Sequence, residues 1–119
     1  MSDEFIKVAT QEINDELTSI TTILESCKND ADISKNSGKI EPHMHKIKGL
    51  APMMGKENIG NLAKILDSIL KKIVSGQKVD GFYEPLSISI KKMTFAMENP
   101  YDLSEIHKQV SDIASKIVD

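Results

Sequence analysis

Apolar residues recur in steps of three and four along five segments of this chain, so each segment has one oily face as a helix. The first segment, residues 3–28, carries Phe5, Ile6, Ala9, Ile13, Leu17, Ile20, Leu24 and Cys27. Ser2, Asp3 and Glu4 offer it a cap and negative charge at its start. The second, residues 41–54, follows Ile40 with Met44, Ile47, Ala51 and Met54. The third, residues 57–75, is the most regular: Ile59, Leu62, Ala63, Leu66, Ile69, Leu70 and Ile73, with Gly76 as its stop. The fourth runs from about Pro85 to Glu98, with Leu86, Ile90, Met93 and Met97 inward and Phe82 or Tyr83 at its entrance. The last spans Leu103 to about Val118, with Asp102 and Glu105 as a capping-box-like pair.

Segments of this kind must bury their faces on one another. An antiparallel four-helix bundle with an additional C-terminal helix, one domain over residues 1–119, is the expected all-α architecture. With aromatics at 4% and no Trp, a core of Leu, Ile, Val and Met suits helices packed on helices. Residues 29–39, polar and containing Asn36-Ser37-Gly38, read as a loop. Pro42 suits a first helical turn, whereas Pro52 predicts a kink or an early end, closed by Gly55.

Function classes narrow quickly. A net charge of −3 gives no reason to expect nucleic acid or an anionic membrane. No apolar run approaches the ~20 residues needed to span a bilayer. The N-terminus is acidic where a signal peptide is basic, and the single Cys27 excludes an internal disulfide. A cytoplasmic monomer is therefore expected, with Cys27 buried and inert. His43 and His45, two apart on a helix, point ~200° from each other and cannot share a metal on an intact helix. No metal or cofactor is expected. The methionines sit mostly at core spacing.

On the second segment His45, Lys48, Gly49 and Pro52 lie opposite the apolar stripe. An exposed imidazole, a lysine one turn later and a missing side chain beside them suit a histidine that carries phosphate. Such a ring needs one nitrogen open for attack on phosphorus and the other fixed by a hydrogen bond. It also needs a cation for the phosphoryl oxygens. Asp67, on the border of the third stripe between Lys64 and Lys71, is a carboxylate able to fix the ring if the two helices are neighbours. Lys56, Lys64 and Lys71 would give the docking face a positive rim for an acidic partner, with Gly49 and Pro52 as its flat part.

The run His45-Lys46-Ile47-Lys48-Gly49, followed by Ala51 and Met53-Met54-Gly55, resembles the motif of histidine phosphotransfer (HPt) domains. With residues 62–70 and Gly76 added, the likeness is closest to the phosphotransfer domain of the chemotaxis histidine kinase CheA. The motif covers about a third of the chain. The resemblance implies His45 as phosphorylation site, Lys48 as phosphate-side cation and Asp67 as the orienting carboxylate. It implies a phosphocarrier without kinase machinery of its own, not an enzyme. Its partners would be a histidine kinase's ATP-binding domain, a response-regulator receiver domain, or both. Leu50 and Pro52 stand where the pattern carries small residues, and Lys64 where it often carries a second histidine. The first two favour the rival reading, a helical adaptor without phosphate chemistry.

Overall fold

The computed structural model describes residues 2–117 and is all-helical. Its elements are α1 (Asp3–Leu24), α2 (Asp30–Met53), α3 (Glu57–Val74), α4 (Tyr83–Glu98) and α5 (Ser104–Ser115). The last helix ends at Ser115, with Lys116 as its cap, short of the expected end near Val118, a position outside the described residues. Residue pairings give the direction of each helix. Asn36 meets Cys27 while His43 meets Glu16, so α2 runs antiparallel to α1. His45 meets Asp67 while Pro52 meets Gly60, so α3 runs antiparallel to α2. α4 packs on both α1 and α3, and α5 lies across α3 and α4. The expected bundle with an added C-terminal helix is what forms.

The core follows the apolar stripes. Ile13, Leu17 and Ile20 of α1, Ile40, Met44, Ile47 and Ala51 of α2, and all seven apolar positions named for α3 are buried. Leu86, Ile90, Met93 and Met97 of α4 join them, with Phe82 fully enclosed at its entrance. Leu103, Ile106 and Val110 seat α5. Ile6, assigned inward from its spacing, is instead exposed. Cys27 is buried, and that burial pushes its thiol above the usual range.

Residues 29–39 are not a loop. They form the first three turns of α2, because Asn29 caps the helix by accepting the Asp32 N–H at 3.0 Å. The Asp32 carboxylate reaches back to the N–H of Lys28 at 2.9 Å, satisfying a second orphan donor. Ile33, Ser37 and Ile40 continue the buried register of Met44 and Ile47 upstream, which repays the low helix preference of Asn36 and Gly38. Pro42 therefore stands inside α2, not in its first turn, and deprives the Gly38 carbonyl of its helical donor. Pro52 is one residue from the end, as its stopping power requires. The close is a Schellman arrangement: Gly55 has φ of 81°, Lys56 N–H donates to Ala51 and Gly55 N–H to Pro52. At the start of α5 no capping box forms. Leu103 is the cap residue, and the Asp102 carboxylate accepts the Ser104 N–H at 2.9 Å.

Asp30, the first residue of α2, holds the far end of the bundle together. Its carboxylate accepts three backbone N–H groups at the entrance to α4: Gly81 at 2.7 Å, Phe82 at 3.0 Å and Tyr83 at 2.7 Å. These are orphan donors of a helix start that has no side-chain cap of its own. Asp30→Ala is expected to cost about 2–3 kcal/mol of stability in urea unfolding while leaving the helical circular dichroism of the folded state intact. A change under a few tenths would mean that water replaces the carboxylate without loss.

Candidate functional site: a histidine over a buried carboxylate

The facing sides of α2 and α3 bring one imidazole, two carboxylates and two ammonium groups together. Ile47 and Ala51 turn inward on α2, which sets His45 and Lys48 at the edge of the interface. On α3, Leu66 and Leu70 turn inward and carry Asp67 against α2. The antiparallel register places His45 Nδ1 at 3.2 Å from Asp67 Oδ2. The imidazole is 56% exposed, whereas the Asp67 side chain is 1% exposed.

The buried carboxylate favours one of the two neutral tautomers of the ring. An ionised carboxylate only accepts, so the neutral tautomer that fits Asp67 carries its proton on Nδ1 and presents Nε2 to solvent. Lys71 Nζ lies 3.2 Å and Lys48 Nζ 3.5 Å from the same Oδ2. Lys71 Nζ is also 3.5 Å from His45 Nδ1, so its charge stands beside the ring, while Lys48 is held through the shared carboxylate. Beside them opens a cleft of 440 Å³ lined by Lys48, Lys64, Lys71 and Lys72, with Asp67 in its wall. A side chain at Gly49 would meet only open space, so nothing there rises above the helix surface.

The two carboxyl groups titrate apart. Burial on its own would raise Asp67, but its interactions with Glu41, His45 and Lys71 and the charge of Lys71 outweigh it and hold Asp67 below its usual range. Glu41 is pushed up, first by its interaction with Asp67, then by burial and by the Asp67 charge.

Of the residues singled out from sequence, His45, Lys48, Asp67, Lys64 and Lys71 come together here. Lys56 does not: its ammonium donates to the Met97 carbonyl at 3.3 Å, tying the start of α3 to the end of α4. Pro52 packs its ring on Gly60, where a Cβ would stand 2.6 Å from Pro52 Cγ. A proline in place of a small residue is thus accommodated by a glycine on the facing helix.

Two residues escaped the sequence reading. Glu41 was placed at a helix start but lies one turn before His45 inside α2, with Oε2 3.8 Å from Nδ1. The (i, i+4) spacing was the available signal. Glu16 of α1, nearly buried, binds His43 Nδ1 at 2.8 Å, and Lys46 approaches Glu16 at 3.5 Å. His43 therefore pins α2 to α1 on the side away from His45.

Donor atoms of Glu41, His45 and Asp67 lie within 4.8 Å of one another, a spacing open to a metal ion. Lys48 and Lys71 already neutralise that carboxylate, and a dication there would have to displace or repel both.

No family model matches this sequence, and neither a curated protein nor a solved structure matches it. Among the described residues, no helix is long and apolar enough to cross a membrane.

Asp67 and Glu41 give acid unfolding a definite sign. A carboxyl held low in the folded state contributes stability that is present above its unfolded value, about 3.9, and lost as pH falls through the folded one. Glu41, held high, acts oppositely: its penalty is relieved as pH falls towards the ordinary glutamate value. Asp67→Asn removes the first effect and that part of the second which comes from Asp67. The stability gap between wild type and Asp67→Asn should therefore narrow as pH drops below about 3.9 in a series of urea titrations. A gap that widens there would contradict a depressed Asp67.

Proposed function

We propose that this protein is a histidine phosphocarrier of a two-component or chemotaxis-type phosphorelay, with His45 as the phosphoacceptor. One observation carries the reading: an exposed imidazole whose Nδ1 is bound to a buried carboxylate at 3.2 Å, between two ammonium groups. In the step proposed, Nε2 attacks the phosphorus of a donor, the bond from phosphorus to the leaving group breaks, and the proton stays on Nδ1, hydrogen-bonded to the Asp67 carboxylate. Lys48 and Lys71 then face the phosphoryl oxygens. Reversal hands the group to a receiver aspartate. The lysine-lined cleft beside the ring suits the acidic surface of a kinase ATP-binding domain or a receiver. The chain supplies the acceptor, while nucleotide and magnesium come with those partners.

His43 is the internal comparison. It too has a carboxylate on Nδ1, with Lys46 3.5 Å from that carboxylate, but its side chain is less exposed, 31% against 56% for His45. Phosphoramidate should therefore phosphorylate His45 selectively, giving an acid-labile product, with His43 and His107 untouched or much slower. His45→Gln should fold normally and lose that product. Lys48→Ala should slow it about tenfold, the worth of one charge-assisted hydrogen bond to the phosphoryl group. Ring-resolved NMR during the reaction reads all three histidines. Equal rates at all three, or none at His45, would leave a helical adaptor as the better description.

A further inference from the structure

The buried carboxylate of Asp67 has an unsatisfied half. Oδ2 receives His45, Lys71 and Lys48, whereas Oδ1 is buried and has no hydrogen-bond donor. An orphaned buried acceptor of this kind is rare, because its desolvation is uncompensated. The ammonium groups of Lys48 and Lys71 are both on the other oxygen. The neighbour left to supply a donor is Glu41, whose carboxyl oxygen lies within 4.8 Å of the Asp67 carboxylate and whose side chain is 20% exposed. Two ionised carboxylates this close repel, and a single proton between them removes the repulsion and supplies the missing bond.

We infer that Glu41 is a positioning residue for the proposed phosphoacceptor: protonated, it donates to Asp67 Oδ1 and so fixes the carboxylate that orients His45. The directions agree with this: Glu41 is raised and Asp67 lowered, each in part by the other. With Oδ1 engaged, the carboxylate turns Oδ2 to the ring and to the lysines. His45 and Lys48 of α2, and Lys64, Lys71 and Lys72 of α3 around the adjoining cleft, are the other titratable and charged groups facing the pair. When Glu41 ionises, a second anion stands 3.8 Å from Nδ1, Oδ1 loses its donor, and an incoming phosphoryl dianion is repelled. Glu41 would therefore make phosphoryl uptake sensitive to pH at a point set by the pair.

The inference rests on the phosphocarrier reading only for its rate effects, so the experiment has two arms. In the first, carbon NMR follows the Glu41 carboxyl through a pH titration of the intact protein. Its midpoint should lie above that of a solvent-exposed glutamate and fall towards it in Asp67→Asn. Titration in the ordinary range would overturn the shared proton whatever His45 does. In the second, phosphoramidate uptake is measured against pH for wild type, Glu41→Gln and Glu41→Ala, with thermal melts confirming folding. Glutamine keeps a donor, so Glu41→Gln should match wild type within about twofold at the acidic end and outpace it once Glu41 ionises. Glu41→Ala should be slower than Glu41→Gln by about tenfold throughout. Equal rates for the two variants, or a wild-type to Glu41→Gln ratio independent of pH, would overturn the positioning role. A raised Glu41 midpoint with no reaction at His45 would leave the proton pair standing and remove the phosphocarrier reading instead.

Discussion

The buried carboxylate of Asp67 is the interaction on which the site depends. A charge taken out of water is costly unless it is paired and hydrogen-bonded, and Asp67 meets that condition only by collecting His45 and Lys48 from α2 and Lys71 from its own helix. The collecting holds the imidazole with Nδ1 against the carboxylate, the contact the proposed phosphocarrier role relies on. It also explains why the ring is exposed while its partner is not: the carboxylate sits at the seam of two helices, and the histidine covers it from outside. A neutral residue at position 67 would leave the two lysines without their shared anion and the ring without a reason to point in any one direction.

That arrangement needs a rigid seam, and the fold provides it from both ends. Pro52 and Gly60 bring α2 and α3 into close approach at one end, where a larger side chain than glycine would force them apart. At the other, Asp30 binds three backbone donors at the start of α4, joining the origin of α2 to the opposite corner of the bundle. Glu16 and His43 anchor α2 to α1 on its remaining side. The helix bearing His45 is thus held on several sides, leaving the ring and the lysine-lined cleft as its open face.

Helix type, order and inward faces were legible in the sequence because the apolar period is regular in α1, α3, α4 and α5. The start of α2 was not. Its polar residues and Asn36-Ser37-Gly38 carry loop chemistry locally, and what overrides them is the Asn29 cap together with the burial of Ile33 and Ile40. The same misplacement hid Glu41: a residue taken as a helix start has no turn below a histidine to occupy. His45 and Lys48 could be named from their place opposite the apolar stripe, and Asp67 from the border of the third stripe and the HPt-like resemblance. The short turn between α2 and α3 is what brings positions 45 and 67 opposite each other. Lys56 could not be placed in this way, since its partner, the Met97 carbonyl, lies on a helix whose register against α3 no local pattern reveals. Glu16 stayed hidden for the same reason, its pairing with His43 being a matter of how α1 slides along α2.

The central claim is that Asp67 holds the proton on Nδ1 and leaves Nε2 as the nucleophile. It is tested most directly by determining, with phosphorus–nitrogen NMR of phosphorylated protein, which nitrogen of His45 bears the phosphoryl group. Attachment at Nε2, with Nδ1 protonated and the selectivity lost in Asp67→Asn, is the predicted result. Attachment at Nδ1, or a mixture that Asp67→Asn leaves unchanged, would show that the buried carboxylate does not direct the chemistry of the ring.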